Sequence, residues 1–277
     1  MSNKSHGSND DFKLITYKRE KKSTKSPIQT NKACADTNLP PRDAIVRRIE
    51  DAKLEVKSSD LLASALASLR EGTEILSQSV VTEIICFGLG RVGESMISRF
   101  QFAFLLCLKD FYNVGVKVYD PVFTEVDCWL LEQFGCFVIK ENFGAKFRVT
   151  DKCTRIFYLP HCPRQLTNNL LWANWGLNLH YCVIVANSFN TIVDITPNRD
   201  LNKSAEYIVK IVPHMVELAL INSFRLYEIF NDTAIHVFPW TKLKLLSDDF
   251  WSLHPEPKYS KDDVELITNE VDLITDA

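Results

Sequence analysis

At residue 80 the hydrophobic period of the chain changes. Val80, Val81, Ile84, Ile85, Cys86 and Phe87 form a continuous apolar run that ends at Gly88-Leu89-Gly90-Arg91-Val92-Gly93, and a helical pattern from Glu94 to Phe111 follows. A second apolar run, Val114 to Tyr119, closes at Asp120-Pro121. Short strands that are apolar on both sides, alternating with helices of a few turns, predict a parallel sheet covered on both faces. The same alternation predicts a helix over Thr124 to Gly135 and strands over Cys136 to Lys140 and Arg155 to Leu159. A helix over Gln165 to Trp175 and a strand over Tyr181 to Ala186 continue it. A long helix from Ser204 to Phe230, kinked at Pro213, then leads to a strand at Ala234 to Phe238. Five or six strands joined by right-handed crossovers give an α/β fold, a doubly wound, mainly parallel Rossmann-like sheet.

Before the sheet, Ile45, Ile49, Leu54, Leu61, Leu62, Leu66, Leu69 and Ile75 recur at helical spacing, so residues 42–79 read as an N-terminal helical segment divided near Ser58-Ser59-Asp60. Residues 1–41 carry eight basic and four acidic residues with few large apolar side chains, the composition of a disordered tail. Within it, Lys18-Arg19-Glu20-Lys21-Lys22 is a candidate nuclear-import or polyanion-binding patch, and a solvated charged tail is the alternative. Residues 80–246 hold the α/β domain. Residues 247–277 form an acidic C-terminal segment, interrupted by Pro255 and Pro257 and expected to be peripheral or disordered.

Net charge excludes one class of function. With 32 basic and 35 acidic residues among 277, there is no excess of Lys and Arg to neutralise a nucleic-acid backbone, so nucleic acid is not expected as a partner. No apolar stretch approaches the length of a membrane span, and Met1 is followed by polar residues instead of a secretory leader, so a cytoplasmic protein is expected, with the basic run as its route to the nucleus. The eight cysteines form no CxxC pair and read as reduced intracellular thiols, mostly small core residues.

In an open parallel sheet, ligands bind beyond the carboxyl ends of the strands. That rule gathers Gly88 to Gly93, Asp120, Pro160-His161-Cys162 and Asn187-Ser188 at one edge. Gly88, Gly90 and Gly93 form GxGxxG between strand and helix, where backbone N–H groups can meet a pyrophosphate, and Asp120 is the acid that would hold a ribose hydroxyl, 27 residues after Gly93. A nucleotide-like ligand and a purely structural turn are the two readings of this loop. Cys86 and Phe87 place no carboxylate before the first glycine, which disfavours an S-adenosylmethionine site. His161 is the candidate general acid or base. No metal site is expected, because His161 and His180 belong at opposite edges of the sheet. Asn168 and Asn187-Ser188 complete the candidate ligand set, with the alternative that they bond their own backbone. Trp172 and Trp175 share a helix face that is read as core.

Several of these segments resemble the Sensitivity to Red Light Reduced (SRR-like) family. The resemblance lies in Ile85-Cys86-Phe87-Gly88-Leu89-Gly90, Gln101 to Leu106, Val118-Tyr119-Asp120-Pro121-Val122-Phe123-Thr124, Phe157-Tyr158-Leu159-Pro160-His161-Cys162, Asn168 to Trp175 and Ala186-Asn187-Ser188-Phe189, spread over residues 80 to 240. It implies a regulatory role: a circadian-clock input pathway in plants, haem biosynthesis and clock-gene expression in animals, and microtubule-related processes in fungi. It supplies no catalytic residues. The leading expectation is therefore a regulator, non-enzymatic or weakly enzymatic, acting with an unidentified regulatory protein partner. The rival is an NAD(P)-dependent oxidoreductase or other nucleotide-binding enzyme that holds its cofactor on Gly88, Gly90, Gly93 and Asp120 and uses His161 for proton transfer.

Overall fold

The computed structural model describes residues 41–77 and 80–259. All but the last residue of the basic tail, with its import patch, and residues 260–277 of the acidic segment lie outside the described residues.

Helices α1 (Arg42–Lys57) and α2 (Asp60–Ile75) divide where the sequence predicts. Ser59 makes the break: its hydroxyl donates to Val56 O at 2.6 Å and accepts from Leu62 N–H at 3.3 Å, ending one helix and capping the next. The apolar stripe of α1, Ile45, Ile49 and Val56, is buried against α3 (Met96–Tyr112), and α2 packs on the antiparallel end of the sheet.

The strands are β1 (Val81–Phe87), β2 (Gly115–Tyr119), β3 (Cys136–Val138), β4 (Thr154–Leu159), β5 (Cys182–Asn187), β6 (Val216–Ala219) and β7 (Thr233–Val237). They form a seven-stranded sheet in the order β3-β2-β1-β4-β5-β7-β6. The first five pair in parallel, and β7 runs antiparallel to both β5 and β6, so β6 points the same way as the parallel set. Along β1, Ile84 and Cys86 enter one apolar cluster while Ile85 and Phe87 enter the other. From Ile84 to Phe87 both faces are buried, which requires an apolar residue at every position. The first cluster is closed by α1, α2, α3 and α4 (Glu125–Gln133). The second is closed by α5 (Arg164–Ala173) and α8 (Glu206–Ile211).

The expected long helix from Ser204 to Phe230 does not form. The chain instead makes α6 (Phe189–Ile195), α7 (Asn198–Ser204) and α8, passes through a 3₁₀ turn at Val212–His214, and becomes the edge strand β6. Pro213 lacks the N–H that a continuing helix needs. The good helix formers Glu217, Leu218 and Ala219 then pair along β7, with Leu218 opposite Ile235, so tertiary pairing overrides local propensity. A second difference lies at the C-terminus. Trp240–Leu243 and Asp248–Ser252 form two further short helices, α9 and α10, and residues 248–259 lie seated on α5 instead of standing apart.

Candidate functional site

The glycine loop after β1 is built around two backbone positions that only glycine fills comfortably. Gly88 and Gly90 both have φ of +73°. A Cβ on Gly88 would overlap Cys162 Sγ, and one on Gly90 would come within 2.7 Å of Ser98 Oγ. Gly93 is different: its φ is ordinary and a Cβ there would reach Asp127 Oδ1 and Leu130 at 3.4 Å.

The N–H groups of all three glycines already have acceptors. Gly88 donates to Tyr119 O at 3.1 Å, Gly90 to Asp120 Oδ2 at 2.7 Å, and Gly93 to Asp127 Oδ1 at 2.9 Å. Asp120 also accepts from Val122 N–H at 3.0 Å, closing the turn after β2. Asp127 is 1% exposed and is the N3 residue of a capping box on α4, where its Oδ2 accepts from the backbone N–H and the hydroxyl of Thr124. Two carboxylates thus stand where a pyrophosphate would have to come. A phosphate site needs free N–H donors and a positive local field, and the three glycines offer neither: each N–H has its acceptor, two of them carboxylates. The three glycines therefore do not fit a dinucleotide's pyrophosphate. The sequence reading gives Asp120 a ribose hydroxyl to hold; in the structure its carboxylate is bonded to Gly90 N–H and Val122 N–H.

Across the crevice, His161 follows β4 with φ of +49°, and its Nε2 lies 3.0 Å from Ile229 O, which puts the ring proton on that nitrogen. Gln101 of α3 donates to the same carbonyl at 3.3 Å, so the turn at 227–229 is tied over the edge from both sides. Neither bond reaches a nucleophile. Cys162 is buried and donates to Phe87 O at 3.2 Å, and burial, helped by the Asp120 carboxylate, pushes its pKa far up. It remains a thiol, a packing group against Gly88 and not a nucleophile. Asn187 donates to Cys162 O at 3.4 Å, and its own Oδ1 is buried without an acceptor's usual donor.

Two of the expected ligand residues stand elsewhere. Asn168 is buried on α5, where its Oδ1 accepts from Tyr207 N–H at 2.8 Å and its Nδ2 donates to Tyr259 Oη at 3.0 Å. Ser188 caps α6 and donates to Glu217 Oε1 at 2.7 Å. The structure therefore brings together Gly88, Gly90, Gly93 and Asp120, with Asn187 beside them through Cys162, and leaves Asn168 and Ser188 in two other networks.

The second of those networks was not visible in the sequence. Glu217 of β6 accepts from Ser188 Oγ, from Phe189 N–H at 2.9 Å and from Asn190 N–H at 3.1 Å, and its Oε2 lies 3.1 Å from His236 Nε2. His236 is fully buried, donates from Nδ1 to Ile184 O at 3.0 Å, and stacks on Phe189 with ring centroids 3.7 Å apart. Burial alone would raise the Glu217 pKa. The His236 imidazole, the Ser188 hydroxyl and the Asn190 N–H outweigh that and hold it down at about 2. A helix expectation over Ser204 to Phe230 hid this residue, since only as a strand does position 217 face β7.

Among the described residues, no group of three or more His, Cys, Asp or Glu side chains is arranged to hold a metal ion, and no helix is long and apolar enough to cross a membrane.

A family model described as the SRR1 domain matches residues 62–237. An SRR1-like protein of Drosophila melanogaster is 30% identical over 272 residues, spanning 94% of each chain. The protein SENSITIVITY TO RED LIGHT REDUCED 1 of Arabidopsis thaliana is 28% identical over 161 residues, covering 54% of this chain and 58% of its own. Among solved structures, the 23S rRNA methyltransferase ErmE overlaps 76% of this chain and 73% of its own, at 12% identity and a TM-score of 0.34.

Proposed function

Because the chain belongs to the SRR1 domain family, we propose that it is a regulatory protein of a light-responsive or circadian-clock input pathway, acting by binding at the carboxyl edge of its sheet instead of by dinucleotide-dependent oxidoreduction. The observation that supports the second half of this reading is the glycine loop, whose three glycine N–H groups are held by Tyr119, Asp120 and Asp127. A nicotinamide dinucleotide would have to displace two carboxylates, one of them buried, before its phosphates met the N–H groups of Gly90 and Gly93. The support for the first half is the likeness to the Arabidopsis protein, whose name records a light response. The animal side of the family resemblance extends the same reading to haem biosynthesis, in a protein of the cytoplasm with access to the nucleus.

The exposed part of this edge is what a regulatory protein partner would meet: Arg91, Glu94, Met96 and Ile97, the last two being 49% and 47% exposed large apolar side chains at the start of α3. Two measurements test the proposal. Titration of the purified chain with NAD(H) and NADP(H) should show no saturable binding, and a stoichiometric complex would overturn the non-oxidoreductase reading. In a null background whose rhythm or light response the intact chain rescues, Met96→Glu with Ile97→Glu should fold normally yet fail to rescue. Full rescue by that folded variant would remove the edge as the functional surface.

A further inference from the structure

Trp172 and Trp175 pack against the second apolar cluster, as the core reading of their helix face expects, but at its margin. Both are half-buried, and their indole N–H groups reach outward to the C-terminal segment: Trp172 Nε1 donates to His254 O at 3.0 Å and Trp175 Nε1 to Phe250 O at 3.4 Å. Tyr207 of α8 adds a third donor, its hydroxyl meeting Pro255 O at 2.6 Å. Lys146 lies over the Trp172 ring and pairs with Glu256. The segment so held reads His254-Pro255-Glu256-Pro257-Lys258-Tyr259. Each proline fixes its own φ, and each bars the helical conformation to the residue before it, so this stretch is extended by covalent geometry. An aromatic surface whose indole and phenol groups donate to the carbonyls of a preformed extended proline segment is the general chemistry of proline-rich peptide recognition.

The occupant is anchored at its far end, where the half-buried Tyr259 hydroxyl accepts from Asn168 Nδ2 at 3.0 Å and lies 3.2 Å from Gln165 O and 2.9 Å from Asn169 Oδ1. Before that it is held more lightly. His254, Pro255 and Glu256 are exposed, and what fastens them is a few side-chain hydrogen bonds and one ion pair, not buried apolar area. Nor does the segment fill its seat. Between it and α7–α8 lies a cavity of about 270 Å³, lined on the protein side by Asn168, Asn202, Lys203 and Glu206. Lys203 has no carboxylate partner among the described residues, whereas Glu206 is paired with Lys210.

The geometry points to this α5–α8 groove as a docking site for a proline-rich segment of a partner protein, with acidic residues between its prolines, for which the chain's own residues 254–259 are the resident competitor. The sequence of that resident specifies the ligand: prolines to keep the peptide extended, carbonyls at the Trp172 and Tyr207 donors, and a carboxylate at Lys146, with Lys203 offering a second. Displacing a segment tethered in place makes the groove a regulated one, because the apparent affinity for an incoming peptide is scaled by the fraction of molecules in which the resident has lifted. The site lies away from the glycine loop, so it stands or falls independently of the carboxyl-edge reading.

The test uses the full chain and a fluorescein-labelled peptide of sequence Ser252–Tyr259. In the native chain the peptide must compete with its tethered copy. In the variant Pro255→Gly, Pro257→Gly, Tyr259→Ala, which leaves Phe250 and Trp251 on Trp175, binding should tighten by about tenfold or more. Adding Trp172→Phe and Tyr207→Phe to that variant keeps both rings and removes two donors, and should return binding to the native level or below, with the circular dichroism spectrum unchanged. A peptide carrying Lys in place of Glu256 should bind several-fold more weakly. The proposal is overturned if the released chain binds the peptide no better than the native one, if the two Phe changes have no effect, or if release produces only dimers by exchange of the segment between copies.

Discussion

Two corners of the same sheet edge use carboxylates to gather backbone N–H groups, and they differ in what they leave open. At the β1–β2 corner, Asp120 and Asp127 each take one glycine N–H from a loop that buries Leu89 and Val92 and leaves Arg91 and Glu94 exposed. At the β5–β7 corner, the single carboxylate of Glu217 takes two backbone N–H groups, a hydroxyl and an imidazole, and its side chain is only 12% exposed. The first arrangement fixes a loop and presents a surface. The second closes a seam where an antiparallel pair of strands joins a parallel sheet. A buried carboxylate with four donors is a structural commitment, while a half-exposed one with two is compatible with recognition.

The strongest way to break this comparison is at Glu217. Glu217→Ala leaves His236, Ser188 and the start of α6 without their acceptor inside the protein, and should cost on the order of 3–5 kcal/mol in chemical denaturation. The pH dependence sharpens the point. The folded pKa of Glu217, about 2, lies below its ordinary value, so the unfolded chain binds the proton more readily, and the stabilisation is present above about pH 5 and lost as pH falls toward 2. The stability difference between the native chain and Glu217→Gln should therefore shrink as pH is lowered through that window. A difference that stays constant would mean that the ionised carboxylate is not what holds the seam.

The next largest effect is expected at Gly90. Alanine there must adopt a φ of +73° and bring its Cβ against Ser98 Oγ at 2.7 Å, so Gly90→Ala should lose about 1–3 kcal/mol through strain and a displaced α3 start. A melting temperature equal to that of the native chain would show that the loop relaxes freely, and the β1–β2 corner would then be far less fixed than its hydrogen bonds imply.

How much of this was readable in the sequence depends on the range of the interaction. The placing of the first five strands along the chain, the break near Ser59 and the gathering of Gly88, Gly90, Asp120 and His161 at one edge follow from local period and from the rule for open parallel sheets, which need no knowledge of distant partners. The seam at Glu217 does not. Its donors come from Ser188, Phe189, Asn190 and His236, and residues 216–219 favour helix until β7 is beside them. The amide of Asn168 on α5 is hard to read for the same reason. Asn168 looks like a ligand donor in sequence, yet its Oδ1 holds Tyr207 N–H 39 residues away, and its helix neighbours Asn169 and Asn174 likewise hold Gly144 and Val149, each 25 residues away. Polar residues on a helix show that something is to be bonded, and only the fold says what.

Asp127→Asn and Asp120→Asn separate burial from exposure within one corner. Asp127 receives Gly93 N–H on one oxygen and both Thr124 donors on the other, so an amide must turn an N–H₂ group toward a donor, and a loss of about 1–3 kcal/mol is expected. Asp120 is half-exposed and water can replace the lost acceptor, which should keep its cost to roughly 1 kcal/mol. Equal losses from the two would remove the distinction between a buried clamp and an exposed one.

The smallest effect should come from Gly93→Ala, and it bears most directly on what the glycine loop is for. A phosphate-binding fingerprint requires its third glycine because the following helix packs closely there. Here Gly93 has an ordinary φ, and an added Cβ would meet Asp127 Oδ1 and Leu130 at 3.4 Å, the near edge of normal contact. Its N–H, the one feature the loop uses, survives the substitution and still points at Asp127. Gly93→Ala should therefore change stability by less than about 1 kcal/mol and leave rescue of the light or rhythm phenotype intact. Gly90→Ala is expected to fail on stability alone. If Gly93→Ala instead folds normally and abolishes function, then something approaches this backbone more closely than the protein itself does, and the loop must be read again as a ligand cradle.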